Sequence, residues 1–319
     1  MKPTDTTHLA TRWMLAAALV TIAAACGADD ADTLDGDGIL SVSLEAEDTI
    51  TEGLEPGDGL ENLVDGWTVT FDEYIVAIGG VTIGRAGGDL TVGESVVVDL
   101  TKLPASGFEL ARFTGIATGQ WGEFSYKLVH AGEATRDDSV SKDDFDRMVA
   151  DDVTYLIRGT ATKDSATVTF EFAEPAEVTF GPCESEAGAP GVNVTELSET
   201  AASVVIHGDH LFFNGFPSGA EITERRAAWL EAADMLGDGD GHVDDSELEG
   251  ITGTELATLF PTAEPATDGD AQYFLSGSPV PVGDARDFVI GQLLTQGHFN
   301  GEGECPWTLP GGEAGEHDH

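Results

Sequence analysis

The chain has 319 residues, with 14 Lys and Arg against 59 Asp and Glu and a net charge of −45 at pH 7. A surface this negative excludes nucleic acid and anionic lipid headgroups as direct partners, because the approach to a phosphate is repulsive. It favours cations only in a general way, since abundant Asp and Gly write D-G-D-G strings by chance and salt-adapted proteins carry such surfaces.

Residues 1–25 read as an export signal: Lys2 and Arg12 are basic, and the apolar run 13–25 is about 13 residues, short of the roughly 20 that a spanning helix needs. Ala23-Ala24-Ala25-Cys26-Gly27 follows the pattern of a lipobox, with Ala where Leu is usual at its first position. The expectation is a lipid on Cys26 that anchors an exported protein to the bacterial cell envelope. Cys183 and Cys305 then remain, and in an oxidising compartment a lone pair is expected to form a disulfide. Residues 26–38 are acidic and lack apolar periodicity, which predicts a disordered tether. They contain D-G-D-G at Asp35 to Gly38, but placing Gly38 at the turn of a calcium loop puts Leu44 where the last carboxylate belongs.

From 39 to 213 the pattern is that of strands. Trp67, Val69 and Phe71 alternate with polar residues, as do Tyr74, Val76 and Ile78; further β-branched or aromatic runs lie at 95–100, 124–128, 153–157, 166–172 and 178–180. Gly79-Gly80, Ala86-Gly87-Gly88 and Lys163-Asp164-Ser165 read as turns between them. One helix is predicted at 141–150, opened by the capping box Ser141/Asp144. Short strands without βαβ alternation predict an antiparallel β-sandwich domain. From 214 to 297 the period becomes helical. Ser218 and Glu221 form a capping box, Ile222, Trp229, Leu230 and Ala233 line one face, and further helices are predicted at 246–250, 254–260 and 284–296. Residues 298–319 read as a tail in which His317 and His319 face solvent.

The helical segment carries the first candidate site. Residues 236–247, L-G-D-G-D-G-H-V-D-D-S-E, match the calcium loop of an EF-hand without its first ligand. Asp238, Asp240, His242, Asp244 and Glu247 fall at positions 3, 5, 7, 9 and 12, Gly241 at the turn and Val243 at position 8, a spacing that wraps several oxygens around one hard cation. Leu236, at position 1, has nothing to donate. Three readings stand: Asp234 supplies the missing oxygen through an expanded loop, the remaining ligands form a weak site, or the segment is a solvated acidic turn. Such loops usually pair through position 8, and no second one is visible, so a structural role is expected rather than a sensor.

The second candidate is His207-Gly208-Asp209-His210 with the distant His298, a donor set suited to zinc or copper with Asp209 as ligand or support. On a strand, His207 and Asp209 would share a face and His210 would point away, so ordinary turn histidines are the competing reading. No nucleophile elbow, H-E-x-x-H or P-loop is present, so the chain reads as a non-enzyme.

The mature chain resembles uncharacterised bacterial envelope lipoproteins of the myxobacterial type through H-G-D-H-L-F at 207–212, D-G-D-G-x-V…E-L at 238–248 and G-H-F-N-G-E-G-E-C at 297–305. The resemblance implies a shared architecture and a cation-binding loop, and no activity. Sequence alone therefore predicts a lipid-anchored envelope protein that binds calcium in a structural role or as part of binding an envelope protein or polysaccharide. The alternative is a zinc or copper protein, as carrier or metalloenzyme.

Overall fold

The computed structural model describes residues 34–59, 61–196, 198–216, 224–262, 273–312 and 314–315. Its first strands are β1 (Asp35–Ala46), β2 (Thr68–Arg85), β3 (Gly88–Asp99), β4 (Phe108–Ile116), β5 (Gly119–Trp121) and β6 (Glu123–Leu128). Then come β7 (Thr135–Arg136), β8 (Tyr155–Lys163), β9 (Ala166–Glu174), β10 (Val178–Phe180), β11 (Val192–Val194) and β12 (Thr200–Ile206). The last are β13 (His242–Asp244), β14 (Gly297–Phe299), β15 (Trp307–Thr308) and β16 (Ala314–Gly315). The helices are α1 (Asp48–Thr51), α2 (Lys142–Asp151), α3 (Ala228–Leu236), α4 (Asp245–Gly250), α5 (Gly253–Leu259) and α6 (Ala285–Leu293). None of them is long and apolar enough to cross a membrane.

The predicted mainly-β, sandwich-like fold is what forms. A four-stranded sheet runs β14-β12-β1-β4, and a ten-stranded sheet follows β13-β9-β8-β2-β6-β10-β15-β16, with β3 added beside β2 and β7 beside β3. Most pairings are antiparallel; β1–β12, β13–β9 and β3–β7 are parallel. In β1, Leu40, Val42 and Leu44 are buried while Ser41 and Ser43 between them are not, the mark of a strand with one covered face. In β2 every residue from Tyr74 to Ile78 is buried, because both faces are covered. Tyr74, Val76 and Ile78 enter the main core; Ile75 and Ala77 join Val97, Leu156 and Met148 in a second cluster under α2.

Four sequence expectations change. Asp35 to Gly38 are not tether: they open β1 and pair with Ile116 of β4 through a bulge. A side chain at Gly36 would meet the Ile116 carbonyl and Ala117 backbone at 2.8 Å, so these glycines serve close backbone approach, which composition mimics as disorder. Gly79-Gly80 is no turn either; it is a register shift inside the single long strand β2. The Ser218/Glu221 box lies outside the described residues, and α3 begins later, at Ala228. Its amino end is capped from far away, Asp65 Oδ2 accepting the N–H groups of Ala227 and Ala228 at 2.8 Å. The helical segment packs into the main core, where Trp229, Leu230, Phe260 and Phe288 meet Phe170, Phe172 and Phe212. Finally, the predicted tail contributes strands through residues 298, 299, 307, 308, 314 and 315, while His317 and His319 lie outside the described residues.

Three predicted helices form close to their expected limits. For α2, Ser141 Oγ accepts the Asp144 N–H at 3.0 Å, as the capping box requires. Arg158 of β8 then ties the layers together, bonding Glu73 of β2, Glu171 of β9 and, at 2.8 Å, Asp144 of α2. Against the upward push of burial, Ser141 and Arg158 hold the Asp144 carboxyl below its usual range, and Arg158 and Arg147 do the same for Glu171. Carboxylates lowered in the fold stabilise it above about pH 4 and lose that contribution as pH falls through the folded values. Arg158→Met is therefore expected to lower the melting temperature at pH 7, and thermal melts from pH 7 to 3 should show the loss shrinking towards acid; a constant difference would contradict this account.

Candidate metal centres

The acidic loop sits between α3 and α4, with β13 inside it. Asp234, on the last turn of α3, is 8% exposed, and its Oδ1 accepts the Gly241 N–H at 2.8 Å. This draws the loop's sharp turn over the helix end and sets the Asp234 carboxylate at the loop's centre. Asp234, Asp238 and Asp240 each present an oxygen within 4.8 Å of the others. Asp238 Oδ1 accepts from Asp240 N–H at 3.1 Å, and Asp240 Oδ1 from His242 N–H at 2.9 Å, so backbone donors orient the carboxylates. Leu236, with no side-chain oxygen to offer, is exposed.

The remaining predicted ligands lie outside that trio and make contacts of their own. Asp244 caps α4, accepting from Ser246 and Glu247 N–H; the Ser246 hydroxyl in particular lowers its carboxyl. The His242 ring faces Thr169 Oγ1 at 2.9 Å. Glu247 Oε1 accepts the Asp238 N–H at 3.0 Å, and burial with the charges of Asp238 and Asp244 raises its carboxyl. A side chain at Gly237 would meet Glu247 Oε1 at 2.0 Å, so only glycine there lets the late glutamate reach back across the loop. At position 8 the partner is not a second loop: Val243 is fully buried and pairs with Phe170 of β9. Beside it, Asp245 accepts the Ala173 N–H at 3.0 Å, a second attachment to the same strand.

The histidines come together. The chain leaves β12 at Ile206 and turns at once into a 3₁₀ helix, Gly208–Phe212, with His207 at its amino end. Side chains three apart eclipse in that geometry, so His210 folds back beside His207, ring centroids 5.7 Å apart. The strand reading of this segment, which sent His210 away, is corrected. β14 pairs with β12, placing His298 opposite Val205 and its ring 4.1 Å from His207 and 5.2 Å from His210. The three are 4, 6 and 8% exposed, and one ligand nitrogen from each lies within 4.8 Å of the others.

Asp209, expected as ligand or support, is in neither cluster that contains His207. It is turned to Arg225, whose Nε lies 2.5 Å from Oδ2; burial and the nearby Glu47 push its carboxyl up to about 6 against the pull of Arg225. Glu47 is a residue that sequence reasoning missed. Its Oε1 lies 3.3 Å from His207 Nδ1, and with the exposed Glu302 it forms a second group of ligand atoms around His207. Burial alone would lower His207, yet the hydrogen bond and charge of Glu47, helped by Asp209 and Glu302, push it up to about 9. No local signal marks Glu47, which is 160 residues away; Glu302 lay in the quoted G-H-F-N-G-E-G-E-C run. Cys26 lies outside the described residues, and Cys183 and Cys305 form the predicted disulfide.

No protein-family model matches the chain, and no curated protein or solved structure is significantly similar to it.

Proposed function

We propose that this is an exported, lipid-anchored protein of the bacterial cell envelope that binds Ca²⁺ at the 234–247 loop, where the ion clamps the helical segment onto the edge of the large sheet. One observation carries the reading: Asp234 stands where the loop lacks its first ligand, held by the turn glycine, with Asp238 and Asp240 beside it. Three carboxylates crowded together repel one another, and a hard cation relieves that repulsion. The attachment of Val243 and Asp245 to β9 supports a structural clamp over a sensor, since an opening loop would break sheet pairing. The lipobox at Cys26 and the disulfide both suit an oxidising, extracytoplasmic setting. An envelope protein or polysaccharide is the proposed partner class, and no catalytic role is proposed.

Isothermal calorimetry and thermal melts on the soluble chain test the clamp. With a dissociation constant of about 10⁻⁴–10⁻³ M, 10 mM Ca²⁺ stabilises by roughly 1.4–2.7 kcal/mol. Mg²⁺ at equal ionic strength serves as the control, because any divalent ion screens so negative a surface. Asp234→Asn keeps the acceptor for Gly241 but removes the charge, and is expected to abolish the Ca²⁺-specific heat. If Ca²⁺ and Mg²⁺ shift the melt equally and the variant behaves like the parent, the loop is an acidic turn. Intact-mass analysis of the exported protein tests lipidation of Cys26.

A further inference from the structure

We propose that His207, His210 and His298 form a second metal site, independent of the acidic loop, that takes a borderline first-row ion of the Zn²⁺ class and leaves one coordination position for water or an outside ligand. Three imidazoles, each with its ligating nitrogen deprotonated as the ion enters, are the donor set that such ions prefer and that Ca²⁺ and Mg²⁺ do not. The three come from a 3₁₀ turn and from a strand some ninety residues later, yet their ligand atoms converge within 4.8 Å in a buried position.

The surroundings orient the rings as a metal requires. Thr295 has one hydroxyl proton, and it donates that proton to the Gln292 carbonyl at 2.8 Å. With that proton placed there, the same oxygen accepts from His210 Nδ1, 3.0 Å away. The tautomer of His210 that makes both contacts carries its proton on Nδ1 and offers Nε2 to a metal. At His207 the carboxylate of Glu47 likewise demands a proton on Nδ1. That assigns Nε2 of His207 the ligand role, and this nitrogen is buried with no hydrogen-bond partner among the described residues. A buried polar atom left so costs free energy unless something satisfies it, and a metal ion that displaces the proton there does. Glu47–His207 is then a carboxylate–histidine pair of the kind that supports metal ligands.

The frame around the site is rigid. Phe299 and Gly303 exchange backbone hydrogen bonds, closing the hairpin that follows His298. Two residues later Cys305 fixes it to Cys183. Glu302, in this hairpin, is exposed and, with Glu47, offers an oxygen near His207.

The test uses the mature chain with its disulfide intact, stripped with a chelator and dialysed against Zn²⁺ or Co²⁺ in the presence of 10 mM Ca²⁺ to occupy weaker carboxylate sites. One Zn²⁺ per chain is expected, and Co²⁺ is expected to give the visible absorption of a tetrahedral nitrogen-ligated ion. His207→Ala and His298→Ala should abolish both, Glu47→Gln should weaken Zn²⁺ by about 10–100-fold, and Asp234→Asn should leave both unchanged. The Co²⁺ spectrum of the unaltered chain keeps the test decisive if a histidine variant folds poorly. Absence of stoichiometric Zn²⁺ and of the Co²⁺ spectrum, or their survival in the double histidine variant, overturns the site without touching the calcium reading.

Discussion

Replacing both Cys183 and Cys305 by alanine is expected to lower the unfolding free energy by about 4–5 kcal/mol, on the loop-closure model for a cross-link spanning this much chain. The two cysteines are 122 residues apart in sequence, so the bridge removes a large set of open conformations from the unfolded chain. It also acts at a vulnerable place. β10 pairs with β15 through only two residue pairs, Thr179–Thr308 and Phe180–Trp307, and β15 connects to the hairpin that bears His298. Short strands hold few ladder hydrogen bonds, and the covalent link compensates by keeping them at high effective concentration. Both sulfurs are buried, so exchange with a thiol reagent requires prior opening of this corner. Denaturant unfolding of the oxidised protein and of the double variant measures the difference directly; coincident midpoints with equal slopes would refute the entropic account.

Removing Asp209 alone is expected to cost about 3–5 kcal/mol, the range for stranding one partner of a buried ion pair. Asp209 is 1% exposed, and Arg225 brings both Nε and Nη2 to the same carboxylate oxygen. The Arg225 guanidinium also lies 4.7 Å over the ring of Phe213, which in turn stacks on His210 at 4.2 Å. Asp209→Ala leaves that cation beside the histidine cluster without its main counter-charge, whereas Asp209→Leu with Arg225→Met replaces both charges by apolar groups. Chemical denaturation at pH 7.5 should show a large loss for the single variant and recovery of most of it in the double one. A double variant as unstable as the single one would mean that the pair itself, and not the stranded charge, holds the segment.

Much of the architecture was legible because its signals are local. The alternation at 67–78, the short apolar runs that became β6, β9 and β10, and the Ser141/Asp144 box all report energies set within a few residues. Misreadings arose where one sequence string serves two physical ends. Asp35 to Gly38 looks like disordered tether, yet its small residues allow β1 to approach β4; Gly79-Gly80 looks like a turn, yet it bends one continuous strand. The α3 cap was invisible for a different reason, since Asp65 lies more than 160 residues before the helix it caps.

By itself the sequence determined the strand-rich class, the pairing of Cys183 with Cys305 and the spacing of the acidic loop, each the product of short-range pattern or simple parity. Only the tertiary structure decided that Asp234 stands at the head of that loop and that β9 takes the place of a second one. It also decided that Asp209 belongs to Arg225 and that three histidines meet beside Glu47. Those outcomes depend on how a helix end, a 3₁₀ turn and a returning strand are placed by a common core, and such long-range placement leaves no periodicity to read.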